Sequence, residues 1–107
     1  MKAFFSFQVG DFVLVELSLE EGRNLGTLVC YVAKVLSFEE DDEVQLSFLR
    51  MKSAYQKDTF TFPTIEDVYT VACSQVKGVL PIVKRTTQRQ ANLVKVKTPL
   101  HQFNMRL

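Results

Sequence analysis

The chain has 107 residues, 47% of them hydrophobic and 23% charged, with nine Phe, three Tyr, no Trp and a formal net charge of +1. A chain this short makes one domain with some length to spare and has little room for an internal catalytic cleft. Its composition is that of a globular protein, and no apolar run approaches the roughly 18 residues that a membrane-spanning helix needs.

The chain opens with Met1–Phe7, which has a positive start and an apolar patch, is too short for a signal peptide and is followed by Gly10-Asp11 where a cleavage site would need small residues. Asp11–Ser18 reads as a first strand, β-branched and apolar, with Glu16 pointing outward. Glu20–Gly26 is a loop without periodicity. Thr27–Phe38 is long for a strand, as expected of a twisted strand shared by two half-sheets of a small barrel. Tyr31, Ala33 and Val35 fall on one of its faces, and Val32, Lys34 and Leu36 on the other, which Lys34 marks as the wetter one.

Glu39–Glu43 is an acidic hairpin tip of solvated carboxylates, without the pocket that paired acid–base catalysis needs. Glu43–Met51 alternates as a third strand, with Val44, Leu46 and Phe48 on one face. Lys52–Lys57 is a polar turn carrying Tyr55, and Asp58–Phe62 is a further strand that Pro63 ends. Val68–Val71 is a short strand, Ser74–Lys77 one tight helical turn, and Gly78–Val83 a last strand that Pro81 marks as an edge. Thr86–Asn92 is a polar linker, and Leu93–Lys97 alternates as an added edge strand. With no crossover helix a parallel sheet is excluded, and a small, partly open antiparallel barrel of five or six strands is expected over residues 7–84. Its core should bury Val13, Val15, Ala33, Val35, Val44, Leu46, Phe60 and Phe62.

Charge is divided unevenly. Residues 1–83 hold all 12 acids and 7 basic residues, whereas Lys84, Arg85, Arg89, Lys95, Lys97 and Arg106 stand without an acid among them. Residues 85–107 therefore read as a basic tail, partly flexible or forming an edge strand, able to meet nucleic acid. Cys30 and Cys73 lie in apolar strand-like stretches and are expected to be free thiols. With His101 the one histidine and no CxxC, a structural zinc site lacks its ligands. The four glycines are isolated, so no phosphate loop is present. No metal, cofactor or enzymatic activity is expected. Surface recognition remains, and Tyr31, Phe48, Tyr55 and Tyr69 are the aromatic candidates to stack bases or cage a cation.

Val9-Gly10-Asp11-Phe12-Val13-Leu14-Val15, followed by Tyr31-Val32-Ala33-Lys34-Val35 and an acidic hairpin, resembles the opening of Tudor-like and other SH3-like chromatin modules, and of bromo-adjacent homology domains. Val44–Arg50, Phe60-Thr61-Phe62-Pro63, Glu66-Asp67-Val68 and Val79-Leu80-Pro81 are similar to a small module at the C-terminal end of animal proteins derived from DNA transposons. The resemblance spans about residues 7–85. It implies an all-β SH3-like or Tudor-like barrel in an intracellular protein, nuclear or cytoplasmic. It also implies cage positions at Leu17, Tyr31, Phe48 and Met51, to which Tyr55 adds a further aromatic at the barrel mouth. Only Tyr31 and Phe48 of the four are aromatic, and Leu49-Arg50-Met51-Lys52 replaces the family's turn, so two basic residues stand where a methylated lysine would be held.

The reading is a non-enzymatic protein-interaction module of a chromatin-associated or transposon-derived protein, binding a protein or peptide by edge-strand pairing or at the mouth. One alternative is weak nucleic-acid binding through Arg50, Lys52, Lys84, Arg85, Arg89, Lys95 and Lys97, with DNA or RNA as partner. Another is an intramolecular docking domain with no ligand.

Overall fold

The computed structural model describes residues 7–18, 28–53, 56–83, 93–97 and 100. Among them are nine strands: β1 (Phe12–Ser18), β2 (Leu28–Phe38), β3 (Glu43–Phe48), β4 (Arg50–Ser53), β5 (Gln56–Thr61), β6 (Val68–Ala72), β7 (Val76–Val79), β8 (Ile82–Val83) and β9 (Leu93–Val96). A 3-10 turn, Cys73–Gln75, joins β6 to β7. All strand pairs are antiparallel and make two sheets, one in the order β6-β3-β2-β1-β7 and one in the order β4-β5-β9-β8.

The expected strand count of five or six matches the first sheet alone, because two of the expected strands are each cut where the chain changes sheet. At Phe48 and Leu49 the third strand ends and β4 begins. The Phe48 N–H donates to the Asp67 carbonyl at 2.8 Å and the Leu49 N–H to the Val32 carbonyl at 2.9 Å, which redirects the backbone. The last strand divides at Leu80-Pro81 into β7 and β8, which end their respective sheets. A proline lacks the N–H that an unbroken ladder would use. Among the described residues neither sheet closes on itself. Leu93–Val96 is an internal strand and not an edge, because β9 is paired on one side with β5 and on the other with β8.

Local chemistry fixes the register of the first sheet. Gly10 takes a φ of 93°, and its N–H donates to the Val35 carbonyl at 2.8 Å, while the Asp11 carboxylate accepts the Gln8 N–H at 2.8 Å. This turn seats β1 on β2, and glycine supplies the positive φ without steric cost. At the β2–β3 hairpin, Asp41 and Asp42 have φ of 59° and 57°, and the Glu43 N–H donates to the Glu40 carbonyl at 3.3 Å. Positive φ at both central residues matches the right-handed twist of the flanking strands.

Two cores result. Val13, Val15, Ala33, Val35, Val44, Leu46, Phe48, Val71 and Cys73 cluster with Phe7 on one face of the first sheet. Among the described residues all nine come from that sheet or its 3-10 turn and Phe7 from just before it, so the sheet curls to bury this face largely with its own side chains. On the other face Phe12, Leu14, Cys30 and Val32 pack under Leu49, Phe60, Leu80, Val94, Val96 and Leu100. The face carrying Lys34 is the wetter of the two, with Lys34 and Leu36 half-buried where Ala33 and Val35 are buried, yet its Val32 is 1% exposed beneath the second sheet. Lys34 is half-buried and lays its ammonium 6.0 Å from the centre of the Phe12 ring. Seven of the eight expected core residues are buried; Phe62 is only partly so, at the edge of the second cluster.

Candidate functional site

The concave face of the curled sheet is open at one end. Phe48, the last residue of β3, is 4% exposed and forms a floor there. Tyr31 of β2 meets it edge to face, with ring centroids 5.6 Å apart and planes at 82°. Tyr69 of β6 meets it from the other side at 5.9 Å and 66°. The pairing Leu46↔Tyr69 places Tyr69 on the core face, where Val71 two residues on is buried. Tyr69 nonetheless stays 62% exposed, because the sheet ends beside it. Such edge-to-face pairs are a preferred aromatic geometry and hold the rings in place.

These rings, with Leu17, Leu49, Arg50 and Asp67, line a cleft of about 420 Å³. Arg50 and Asp67 form its charged rim, with a nitrogen–oxygen distance of 3.6 Å. Both come from the neck of the β4–β5 excursion, which the Phe48 N–H to Asp67 carbonyl bond pins shut. The lining is thus a hydrophobic, aromatic floor with one cation and one anion at its edge. It suits capture of a side chain, and among the described residues that line it no nucleophile stands beside a base.

Of the expected mouth residues, Leu17, Tyr31 and Phe48 come together. Met51 does not. The change of sheet at Leu49 turns it toward the second core, where it packs beside its cross-strand partner Phe60. Tyr55 lies outside the described residues. The cleft residues missed as mouth positions are Leu49, Arg50 and Asp67, and Tyr69, named only among the aromatic candidates, enters as its third aromatic. The run Asp67-Val68-Tyr69 held a usable signal, since a Tyr two residues before a buried Val shares its face. Of the basic set, Arg50 sits on the rim, and Lys52, Lys95 and Lys97 are exposed. Lys84, Arg85 and Arg89 lie outside the described residues.

Cys30 and Cys73 are buried and are not joined in a disulfide. Burial first, and then the carboxylates of Asp42 and Glu43, push the Cys73 thiol above its ordinary pKa of 9.0. Among the described residues no three His, Cys, Asp or Glu side chains are grouped to hold a metal ion, and no helix is long and apolar enough to cross a membrane. Comparison with protein-family models, with curated proteins and with solved structures finds no match.

Proposed function

We propose that this chain is a non-enzymatic protein-interaction module of the SH3-like or Tudor-like kind, whose aromatic cleft receives a side chain of a partner peptide. The observation that carries the reading is the convergence of Tyr31, Phe48 and Tyr69, from three adjacent strands, on one open cleft. Rigid aromatics at a concave end provide large contact area at low conformational cost. An SH3-like reading of the first sheet is supported by its order: four strands β1, β2, β3 and β6 follow one another as a meander, and β7 returns to pair with β1. A chromatin-associated or transposon-derived parent protein, acting in the nucleus, is the setting that the sequence resemblance favours.

The test is a titration of isotopically labelled protein with a peptide library that includes histone-tail sequences. Binding peptides should shift the resonances of Tyr31, Phe48 and Tyr69. Tyr31→Ala should weaken them at least about ten-fold, as expected when one anchoring aromatic is lost. Peptides that bind with the cleft resonances unmoved would defeat the reading.

A second reading has one observation in its favour. Lys52 and Lys95 on the second sheet and Lys97 just past β9 are all exposed, each next to a residue that packs inward. Such a face meets a phosphate backbone through charge, and its binding to duplex DNA would fall steeply with salt.

A further inference from the structure

Among the described residues, the outer edge of β6 is unguarded against strand pairing. β6 ends the first sheet, and among the described residues no strand pairs with its outer side. Proteins usually guard such an edge with charge, proline or a bulge. β6 reads Val68-Tyr69-Thr70-Val71-Ala72, with no charge and no proline, and its register on β3 runs unbroken from Glu43↔Ala72 to Ser47↔Val68. By contrast β4 carries Arg50 and Lys52, and β7 carries Lys77 and a register shift against β1.

The hydrogen-bond phase of the edge follows from its two ends. The Phe48 N–H donates to the Asp67 carbonyl, and the Cys73 N–H donates to the Asp42 carbonyl, each at 2.8 Å. Antiparallel ladders alternate between bonded and non-bonded pairs. Tyr69 and Val71 therefore turn their N–H and C=O groups toward β3. Val68, Thr70 and Ala72 turn theirs outward. The Ala72 N–H, pointing out, is taken by the Gln75 side-chain oxygen at 2.9 Å, so the chain itself caps one end of the edge. The backbone groups of Val68 and Thr70 are left facing out.

The surroundings specify the chemistry of an incoming strand. On the concave side of β6 stands Tyr69, the wall of the aromatic cleft. On the opposite side Thr70 and Gln45 border a shallow depression lined by Glu39, Glu40, Asp41 and Glu43. Glu66 and Asp67 precede the strand. A strand laid along β6 would put alternate side chains into these two environments. It would meet carboxylates at both ends.

We propose that the outer edge of β6 accepts an extended, lysine- or arginine-bearing segment of a partner protein as an added strand, with one of its side chains seated in the Tyr31–Phe48–Tyr69 cleft and its basic residues against the β2–β3 hairpin. This rests on the protein-interaction reading above and specifies its geometry. Main-chain bonds to Val68 and Thr70 supply affinity, and the alternating side chains supply specificity.

The probe is a ten-residue peptide alternating lysine with valine and threonine, titrated into the whole chain at low salt and followed by amide resonances. Two further peptides serve as controls: one N-methylated at alternate amides, and one with glutamate for lysine. Thr70→Pro removes an outward N–H without touching the ladder to β3, which an edge strand tolerates. Thr70→Lys, which adds a guarding charge, serves where the proline variant melts at a much lower temperature. The expected result is binding of the lysine peptide with new exchange protection at Val68 and Thr70. N-methylation and either Thr70 variant should each weaken it at least ten-fold, and the glutamate peptide should not bind. Equal binding by the N-methylated peptide and by the Thr70 variants overturns strand addition. If Tyr69→Ala still abolishes that binding, the cleft reading survives alone; if it does not, both fall. Sedimentation showing that β6 is instead occupied by a second copy of the chain, with the lysine peptide excluded, also overturns the proposal.

Discussion

Phe60→Ala tests whether the second sheet is an integral part of the fold. Phe60 is 1% exposed, lies opposite Met51 on β4 and Val94 on β9, and packs in the cluster that includes Phe12, Leu14 and Val32 of the first sheet. Its ring thus joins three strands of one sheet to the convex face of the other. Truncating a closed aromatic site to alanine removes the transfer free energy of the ring and leaves a cavity, together about 3–5 kcal/mol. Against a typical total of roughly 5–15 kcal/mol this is a large loss. In a domain of this size it lowers the melting temperature by on the order of 15–20 °C. Phe62→Ala is the control. Phe62 is only partly buried, with its ring 6.3 Å from that of Phe12, so its loss should cost about 1–2 kcal/mol on area grounds. Urea and thermal melts of both variants, followed by circular dichroism, give the comparison. Equal losses, or a Phe60→Ala cost below about 1.5 kcal/mol, would refute the two-core packing, since a buried ring cannot be removed so cheaply.

Asp42→Gly should raise stability by about 0.5–1 kcal/mol, because glycine takes the positive φ of a hairpin turn more readily than aspartate and one of several crowded carboxylates is removed; a lower urea midpoint would contradict this. Cys73 should resist thiol reagents at neutral pH in the folded chain and react on unfolding, since burial and the Asp42 and Glu43 carboxylates disfavour its thiolate. Its raised folded pKa makes its contribution to stability whole below pH 9.0 and progressively lost as the pH climbs toward the folded value, so Cys73→Ser should flatten the alkaline limb of a stability-versus-pH curve. Arg50→Ala should cost under about 1 kcal/mol of stability, because its partner Asp67 is reached across a largely exposed pair; a larger loss in melts would show that the rim is structural.

The first sheet was legible in the sequence because its strands are separated by strong punctuation. Gly10-Asp11, the Glu39–Glu43 run and Pro63 each mark a turn or a strand end. Both faces of β1 and β2 are buried in their middle, and the sequence says so in Phe12-Val13-Leu14-Val15 and Val32-Ala33, which are continuous runs and not alternating ones. A continuous run signals burial on both sides. Lys34 masked that signal, because its stem crosses apolar surface while its ammonium reaches the Phe12 ring. The second sheet was harder to read, since β9 is paired on one side with β5, more than thirty residues away in sequence, and on the other with β8, which is two residues long. The aromatic floor of the cleft was legible from Tyr31 and Phe48. Its rim was not, because Asp67 reaches it through a backbone bond from Phe48 that no local pattern encodes. Met51 was misplaced for the same reason. A switch between sheets at Leu49 reverses the face on which each following residue lies.

That switch also explains why the cleft and the β6 edge, the surfaces proposed for a partner, lie together. The convex face of the first sheet is spent on the second sheet, through Phe12, Leu14, Val32 and the side chains above them. The concave face is filled by its own side chains up to Phe48. Among the described residues, what is left open is the end at which β3 stops, and it stops there because the chain departs for β4 and returns at Asp67. The excursion supplies Leu49, Arg50 and Asp67 to the cleft as a consequence of leaving and re-entering at its border. Because β6 begins immediately after the return, the cleft and the outer edge of β6 are adjacent, as the proposed binding of one extended segment to both requires.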